Sequence, residues 1–442
     1  MKILHYTLGL PPYRSGGLTK YATDLMLEQV MEGHNVSLLY PGGVDFTLKT
    51  RIIVRKTCNG IMPYEIMNSL PVPLYHGICS PQKFIPKKND SKIYTQLLDK
   101  VQPEIIHLHT LMGLPENLLF EAKKRNIRIV FTTHDFFGLC MKCTFIDLKG
   151  ELCSGPTPGK CAWCNQNAKS IAFLRFRNQP IVINLKNRLH KSYQESDNKL
   201  TEMVTIDKFN SRKNDYQTII EYYKSLFEYV DLFHFNSIVT ETVYRNYLTD
   251  IKGKVVPISN SNIGDNRKRG FYDGKTLKIV FIGHTDIFKG FPLLKSVLLE
   301  LQQYDWELEI WGGNEGIDSD SKKIVYRGRY TASDLEEIYK NTSLVIVPSQ
   351  WYETFSFVTL EALSYGVPVL VSDKVGAKSI VANYDSSFIF NTKKELKDKL
   401  EKIMQNRSDL VSYHNRILSL PWNHGMEEHS NEIERKIYGC SL

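Results

Sequence analysis

The chain has 442 residues, 42% of them hydrophobic and 24% charged, and its 56 Lys and Arg against 48 Asp and Glu leave a formal net charge of +8. That length suits two or three domains, and the composition is ordinary for a soluble globular protein. The mild basicity fits an anionic ligand or surface, and with no nucleic-acid recognition motif beside it no nucleic-acid partner is expected.

The N-terminus, MKILHYTLGLPPYRSGG, has an apolar run too short for an export signal and broken by a Pro pair. No stretch reaches the roughly 18 apolar residues of a membrane span. The expectation is a cytoplasmic protein. KILHYT reads as a strand, GLPPYRSGG as a loop and LTKYATDLMLEQVMEGH as an amphipathic helix whose apolar face includes Leu18, Tyr21, Ala22 and Leu25. NVSLLYP is the next strand. EIIHLHT and IRIVFTTHD follow, separated by the helical LPENLLFEAKKRN. This alternation predicts a parallel, doubly wound sheet. Gly16 and Gly17 stand at a strand-to-helix turn, where glycine lets backbone approach a phosphate and the helix adds its dipole. His134 and Asp135 end the strand IRIVFTTHD. His109 ends another and reads as a core residue or a support behind the site.

Five of the eight cysteines fall between Cys140 and Cys164. The pairs Cys140/Cys143 and Cys161/Cys164 are separated by seventeen residues, within the range of a structural zinc site, with Cys153 between them. In a reducing compartment both bound zinc and packed reduced thiols fit better than disulfides. Four thiolates would close the coordination sphere and make such a site structural. Residues 169–248 lack the strand–helix rhythm and are helical in composition. Within them, residues 169–191, KSIAFLRFRNQPIVINLKNRLHK, carry Lys169, Arg175, Arg177, Lys186, Arg188 and Lys191 and no acidic residue. That mix suits the surface of an anionic membrane, where each basic residue contributes about 1 kcal/mol; a helical hairpin with solvated charges fits it as well.

A polar stretch over residues 256–274 reads as the linker region. LKIVFIGH, WELEIWGG, KKIVYRGR, TSLVIVPS and VPVLVSD are then five strands, with helices such as SDLEEIYKNT between most of them. The end of the chain, LPWNHGMEEHSNEIERKIYG, predicts one or two helices. The segment PSQWYETFSFVTLEALSYGVPVLVSD places Glu353 on a loop at a strand's carboxyl end and Glu361 about two turns into the following helix, which Gly366 and Pro368 stop. Ligands of open α/β sheets bind at this edge, and a helix N-terminus there favours phosphate. Glu353 could accept hydrogen bonds from a polyhydroxyl ligand and Glu361 from a second hydroxyl pair. An ordinary helix with one exposed and one capping carboxylate has the same spacing.

The two α/β halves, the Gly-rich first loop and the paired glutamates together resemble a retaining glycosyltransferase of family 4, of the bacterial surface-polysaccharide type. The resemblance covers almost the whole chain. It implies the GT-B fold: two doubly wound Rossmann-like domains facing a cleft, with a helical, Cys-containing insertion in the first. The boundaries are 1–255 for an acceptor-side domain (insertion about 140–230), 256–415 for the nucleotide-sugar-binding domain, and 416–442 for terminal helices packing back on the first. By resemblance Glu353 contacts the donor sugar's hydroxyls, Glu361 the ribose, and Thr354, Phe355, Ser356 and Phe357 cradle diphosphate and sugar with backbone amides. Gly16 and Gly17 close over the donor phosphates. His134 stands beside the donor sugar.

FIGHTDIFKGF matches a loop in which an Arg and a Lys clamp the diphosphate. Lys289 fits the lysine, while His284 fills the arginine position. A neutral imidazole cannot replace a guanidinium, so His284 binds as imidazolium, another cation compensates, or the clamp is weaker. Relatives that resemble this chain carry Cys at positions like 140, 153, 161 and 164, which leaves Cys143 as the spare. The implied reaction retains the anomeric configuration. It moves a sugar from a nucleotide-diphosphate sugar to a saccharide or polyprenyl-diphosphate-linked acceptor, in capsule, exopolysaccharide or O-antigen assembly. Catalysis needs no cofactor, and no Asp-x-Asp motif is seen at a strand end to hold a metal. The protein is then cytoplasmic, peripheral at the inner face of the plasma membrane through residues 169–191. A nucleotide-sugar epimerase of the same fold and a non-catalytic scaffold in polysaccharide assembly are the rival readings.

Overall fold

The structure is a computed structural model and describes residues 1–86, 91–179, 182, 212–268 and 276–439. The chain divides into two compact units. The first holds Met1–Phe235, Glu241–Val256 and Ser430–Leu442; the second holds Asn236–Thr240 and Pro257–His429.

The first unit is built on an eight-stranded sheet. Its strands are β1 (Lys2–Tyr6), β2 (Asn35–Pro41), β3 (Arg51–Val54), β4 (Met62–Met67), β5 (Ile105–Leu108), β6 (Arg128–Thr132), β7 (Leu232–Phe235) and β8 (Gly253–Val255). The order is β3-β4-β2-β1-β5-β6-β7-β8, parallel throughout except for the β3–β4 hairpin. The helix Gly17–Met31 leaves β1 and buries Tyr21, Ala22 and Leu25 completely. The C-terminal stretch returns to this unit. Ile433, Ile437 and Tyr438 pack with Ile3, Ile105, Val130 and Val256 in one cluster, and Arg128 Nη2 donates to the Ile437 carbonyl at 2.9 Å.

Four of these strands are absent from the sequence reading. β4, MPYEIM, contains Pro63 and Glu65, which read as breakers. Glu65 is nevertheless buried, because Arg55 Nε and the Gly43 amide donate to its carboxylate at 2.6 and 2.9 Å. A buried charge is tolerated once paired and hydrogen-bonded. β3 is a four-residue partner of β4 with no buried position. β7, LFHF, is four residues long with a histidine inside it, and β8 is three residues long. Together they extend the sheet, β7 from within residues 169–248 that read as mostly helical and β8 from just beyond them.

The second unit carries a seven-stranded sheet of order β11-β12-β10-β9-β13-β14-β15. Its strands are β9 (Leu277–Ile282), β10 (Trp306–Trp311), β11 (Glu315–Ile317), β12 (Ile324–Gly328), β13 (Leu344–Val347), β14 (Val369–Ser372) and β15 (Ile389–Phe390). Only the β11–β12 pair is antiparallel. β13 and β14 are buried at every position, as parallel strands covered on both faces must be, and they therefore read as unbroken apolar runs. β11 was not foreseen, because all three of its residues are exposed.

Candidate functional site

In the second sheet the chain starts at β9, builds outward through β10 to β12, then returns to the other side of β9 with β13. The direction of winding reverses between β9 and β13, and the crevice outside the strand ends at such a point is where α/β sheets hold ligands. The loops leaving these two strands carry Lys289 and Glu353. Lys289 Nζ donates to Glu353 Oε1 at 2.8 Å, Ser349 Oγ donates to Oε2, and the ammonium lies 5.4 Å from the centre of the Trp351 ring. Backbone fixes both partners. Gln350 N–H donates to the Phe288 carbonyl at 2.7 Å, Glu353 N–H to Lys374 at 3.1 Å, and Gly376 N–H to Glu353 at 2.8 Å.

Thr354, Phe355 and Ser356 lead from Glu353 into the helix Phe357–Ser364. Ser356 has φ 102°, ψ 91°, a conformation that L-residues adopt only under constraint, and no side chain caps the helix. A non-glycine residue held there costs on the order of 1–3 kcal/mol, and such strain gathers at ligand sites. The Thr354 carbonyl accepts from Ser237 Oγ at 2.6 Å, and Ala377 N–H donates to the Phe355 carbonyl at 2.8 Å, which holds the strained turn. The first amides of the helix face a position where an anion is stabilised. Glu361 is half-buried on this helix. Its charge acts on Tyr330, whose phenol is pushed up to about 12 by burial first and by Glu361 second, and on the buried Tyr339 in the same sense. His284 lies exposed on the β9 loop.

In the first sheet the reversal lies between β1 and β5. The loop after β1 carries Gly16, at φ 108° with open space where a Cβ would be, and Gly17, the first residue of the helix Gly17–Met31. The positive φ, not a close neighbour, is what calls for glycine at position 16. His109 follows β5 and His134 follows β6. His109 Nδ1 and His134 Nε2 are 3.2 Å apart, and the Tyr21 ring lies 4.8 Å from that of His134. Burial lowers the His134 pKa to about 3, with His234 adding to the shift, so the ring is neutral near pH 7. Burial raises the Asp135 carboxyl to about 6, against the hydrogen bond that Phe137 N–H donates to it at 2.8 Å.

Comparison with known proteins finds one family model within each unit. The family model described as Glycosyltransferase Family 4 matches residues 15–149, and the model described as Glycosyl transferases group 1 matches residues 262–417. An uncharacterised glycosyltransferase of Methanocaldococcus jannaschii is 30% identical over 129 residues, 27% of this chain and 33% of that one. An uncharacterised protein in the cps region of Klebsiella pneumoniae is 24% identical over 173 residues, 38% of this chain and 45% of that one. The matches thus span between a third and a half of these curated relatives. Among solved structures, Anabaena HepE in complex with UDP superimposes with a TM-score of 0.59 at 11% identity, over 100% of both chains. The chain has the GT-B fold. Models and fold neighbours together support a glycosyltransferase.

Within this GT-B chain the structure adds residues that the sequence reading passed over. Arg14, in the loop PPYRSGG, donates from Nε to the Leu8 carbonyl at 3.2 Å, while its Nη2 is buried with no hydrogen-bond partner. Arg177 Nη1 is buried in the same condition. Burial lowers the Arg14 pKa, and the nearby Arg177 charge pushes it the same way. Two guanidinium groups with unsatisfied donors form a place for an anion. The Arg beside the glycine pair was the available signal.

An Asp-x-Asp pair does follow a strand, contrary to the sequence reading. Asp318 and Asp320 come directly after the unforeseen β11, and Lys295 holds both, at 2.8 and 2.6 Å, which offsets one of their two charges.

Cys140, Cys153, Cys161 and Cys164 line one pocket. Cys143 is buried and its thiol faces the Leu74 carbonyl at 3.3 Å. Burial raises the Cys140 thiol, while backbone N–H groups of Lys142, Phe145 and Thr144 act on its sulfur in the opposite sense, favouring thiolate. Burial, opposed by Lys142 and helped by Cys140 and Cys153, raises the Cys164 thiol to about 11. The donor set has the chemistry of a zinc site. The sulfurs are spread more widely than ligands of one ion, since among the described residues the ligand groups gathered within 4.8 Å contain no thiol. Of the basic segment 169–191, the helix Ile171–Arg177 is described, with Leu174 buried and Phe176 exposed; Lys186, Arg188 and Lys191 lie outside the described residues. No helix among the described residues is long and apolar enough to cross a membrane.

Proposed function

We propose that the protein is a retaining glycosyltransferase that takes a sugar from a uridine-diphosphate sugar and passes it to a saccharide or lipid-linked saccharide in surface-polysaccharide assembly. The observation that carries this reading is the Lys289–Glu353 pair beside the helix turn at Ser356. One cation and a row of backbone amides suit a diphosphate, and one pinned carboxylate suits sugar hydroxyls. HepE, of the same fold, has been solved with UDP and with UDP-glucose, which supports a uridine donor. The relative in the Klebsiella cps region supports the polysaccharide role.

As the glycosidic bond to the diphosphate breaks, negative charge grows on the leaving oxygen. Lys289 and the first amides of the helix Phe357–Ser364 are already aimed at that charge, so little reorganisation is needed. Glu353 holds the sugar by its hydroxyls. Glu361 holds the ribose diol, with Tyr330 alongside. Acceptor attack then comes from the face the diphosphate leaves, which retains configuration without a covalent intermediate on the enzyme.

The test is a thermal-unfolding screen of nucleotide sugars and free UDP. A ligand present at a hundred times its Kd stabilises by about 2.7 kcal/mol. Loss of a hydrogen bond to a charged group costs about 1.5–3 kcal/mol. Glu361→Gln is therefore expected to weaken both UDP and the UDP-sugar by roughly tenfold or more, whereas Glu353→Gln weakens the UDP-sugar and leaves UDP alone. No stabilisation by any nucleotide sugar would support a scaffold instead. Conversion of donor to an isomer without acceptor would identify an epimerase.

The cysteine cavity belongs to the same proposal as a structural zinc site held by Cys140, Cys153, Cys161 and Cys164. Zinc there would draw the four sulfurs together from the wider spread they have in the structure, neutralise thiolates and tie the loop after Asp135 to the helix Pro158–Cys164. Elemental analysis of purified protein is expected to find about one zinc per chain. No zinc, with every thiol freely titratable in the native protein, would remove the site.

A further inference from the structure

Behind His134 the first unit buries a continuous chain of polar side chains. His109 Nδ1 faces His134 Nε2 at 3.2 Å, and His109 Nε2 faces His5 Nδ1 at 3.0 Å. His5 Nε2 faces Gln29 Oε1 at 2.8 Å, and Gln29 Nε2 faces the Tyr438 hydroxyl at 3.1 Å. That hydroxyl meets His107 Nδ1 at 2.7 Å, and His107 Nε2 meets Thr132 Oγ1 at 2.7 Å. Thr132 Oγ1 meets His234 Nδ1 at 2.8 Å, and His234 Nε2 ends the chain on the Val256 carbonyl at 2.7 Å. His5, Gln29, His107, Thr132 and His234 are wholly buried.

A carbonyl can only accept, so His234 carries its proton on Nε2 and its lone pair on Nδ1. Thr132 must then donate to His234 and accept from His107 Nε2. The Tyr21 hydroxyl is also bonded to Thr132; with the one Thr132 proton on His234, that bond has Tyr21 as its donor. His107 Nδ1 accepts from Tyr438, which accepts from Gln29, whose oxygen accepts from His5 Nε2. His5 Nδ1 accepts from His109 Nε2, and His109 Nδ1 accepts from His134 Nε2. Every one of the eight bonds then has one proton. The opposite direction would place two lone pairs against each other at Val256.

We infer that this one-way chain, anchored on the Val256 carbonyl, locks His134 in the Nε2–H tautomer, so that its Nδ1 is a hydrogen-bond acceptor for a substrate hydroxyl. The chain residues are positioning residues. Burial supports the neutral state this requires, lowering His5 and His234 to about 4 and His134 to about 3. His5, His107 and His109 bring ring nitrogens within 4.8 Å of one another, a spacing that metal ligands also show. Every ring nitrogen of the three is already engaged in the chain, which accounts for their closeness without an ion. The role assigned to the acceptor atom rests on the glycosyltransferase reading; the tautomer itself does not.

The experiment is ¹⁵N NMR of the histidine rings in the full chain, with the His134 signals identified by their loss in His134→Asn. The wild type is expected to show His134 only as Nε2–H. Thr132→Val severs the arm from its anchor, and His134 is expected to gain a substantial Nδ1–H population; Thr132→Ser keeps the hydroxyl and restores the single tautomer. Tyr438→Phe cuts the chain at a second place with the same expected loss, and serves if Thr132→Val does not fold. His134 as Nδ1–H in the wild type, or an unchanged pattern in a folded chain-cutting variant, overturns the inference. Neither outcome depends on whether nucleotide sugars bind, so failure of the functional reading registers separately in the ligand screen.

Discussion

Glu353→Gln is expected to lower turnover about a hundredfold, with a smaller loss of stability. The Glu353 side chain is 14% exposed and its Lys289 partner 31%, so the pair lies between a surface and a buried one, and because Gln keeps an oxygen that can accept from Lys289 and Ser349 the folded state loses about 1–2 kcal/mol. The donor loses a charge-assisted contact worth about 1.5–3 kcal/mol, a factor of ten to a hundred and fifty in kcat/KM. Lys289→Met is expected to cost a comparable factor, because the cation lies where the leaving diphosphate needs one. The two residues touch, so their effects should not multiply. The double variant should be less impaired than the product of the single losses, since Lys289→Met also leaves Glu353 without its counter-charge. Steady-state kinetics on the three variants, with chemical denaturation as control, tests this. Full activity in both single variants would remove the pair from the site.

Much of this was legible in the sequence, and the reasons are local. β13 and β14 are parallel strands covered on both faces, so burial writes itself into a nearly unbroken apolar pattern. β4 did not show, because Glu65 is stabilised by Arg55 and the Gly43 amide, partners that a window of neighbouring residues does not contain. Glu353 and Lys289 could be placed at strand ends, but their pairing is a property of the winding reversal, which brings together loops 64 residues apart. The histidine chain was still less accessible. His5, His107, His134 and His234 come from four strands or their ends, and His5 reads as one polar residue in an apolar strand. Only the register β1–β5–β6–β7 puts them in line. His284 illustrates the converse: motif position draws attention to it, and the structure leaves it exposed on its loop.

Gly290→Ala is expected to be among the most damaging single-methyl changes in the second unit. Gly290 has φ +77°, and a Cβ there would lie 1.8 Å from the Pro348 carbonyl oxygen and 2.6 Å from its carbon. The obstacle is backbone of the adjoining strand end, which cannot swing aside as a side chain could. The left-handed conformation adds about 1–2 kcal/mol for any residue with a Cβ. A total destabilisation of about 2–4 kcal/mol follows, typical of a strained backbone site combined with overpacking. The consequence for function is larger than the loss of stability. Gly290 is the point where the loop from β9 lies against the loop from β13, beside the 2.7 Å bond from Gln350 N–H to Phe288. Pushing the two apart by even 1 Å separates Lys289 from Glu353, and misplacement on that scale costs about a hundredfold in rate. Gly313→Ala is the matched control, since a Cβ there meets nothing within 4 Å and φ is ordinary. It should change stability by less than about 0.5 kcal/mol. Denaturation midpoints and donor-saturated turnover of the two variants decide the matter. If Gly290→Ala proves as stable and as active as Gly313→Ala, then the close approach of the two loops does not hold the Lys289–Glu353 pair in place.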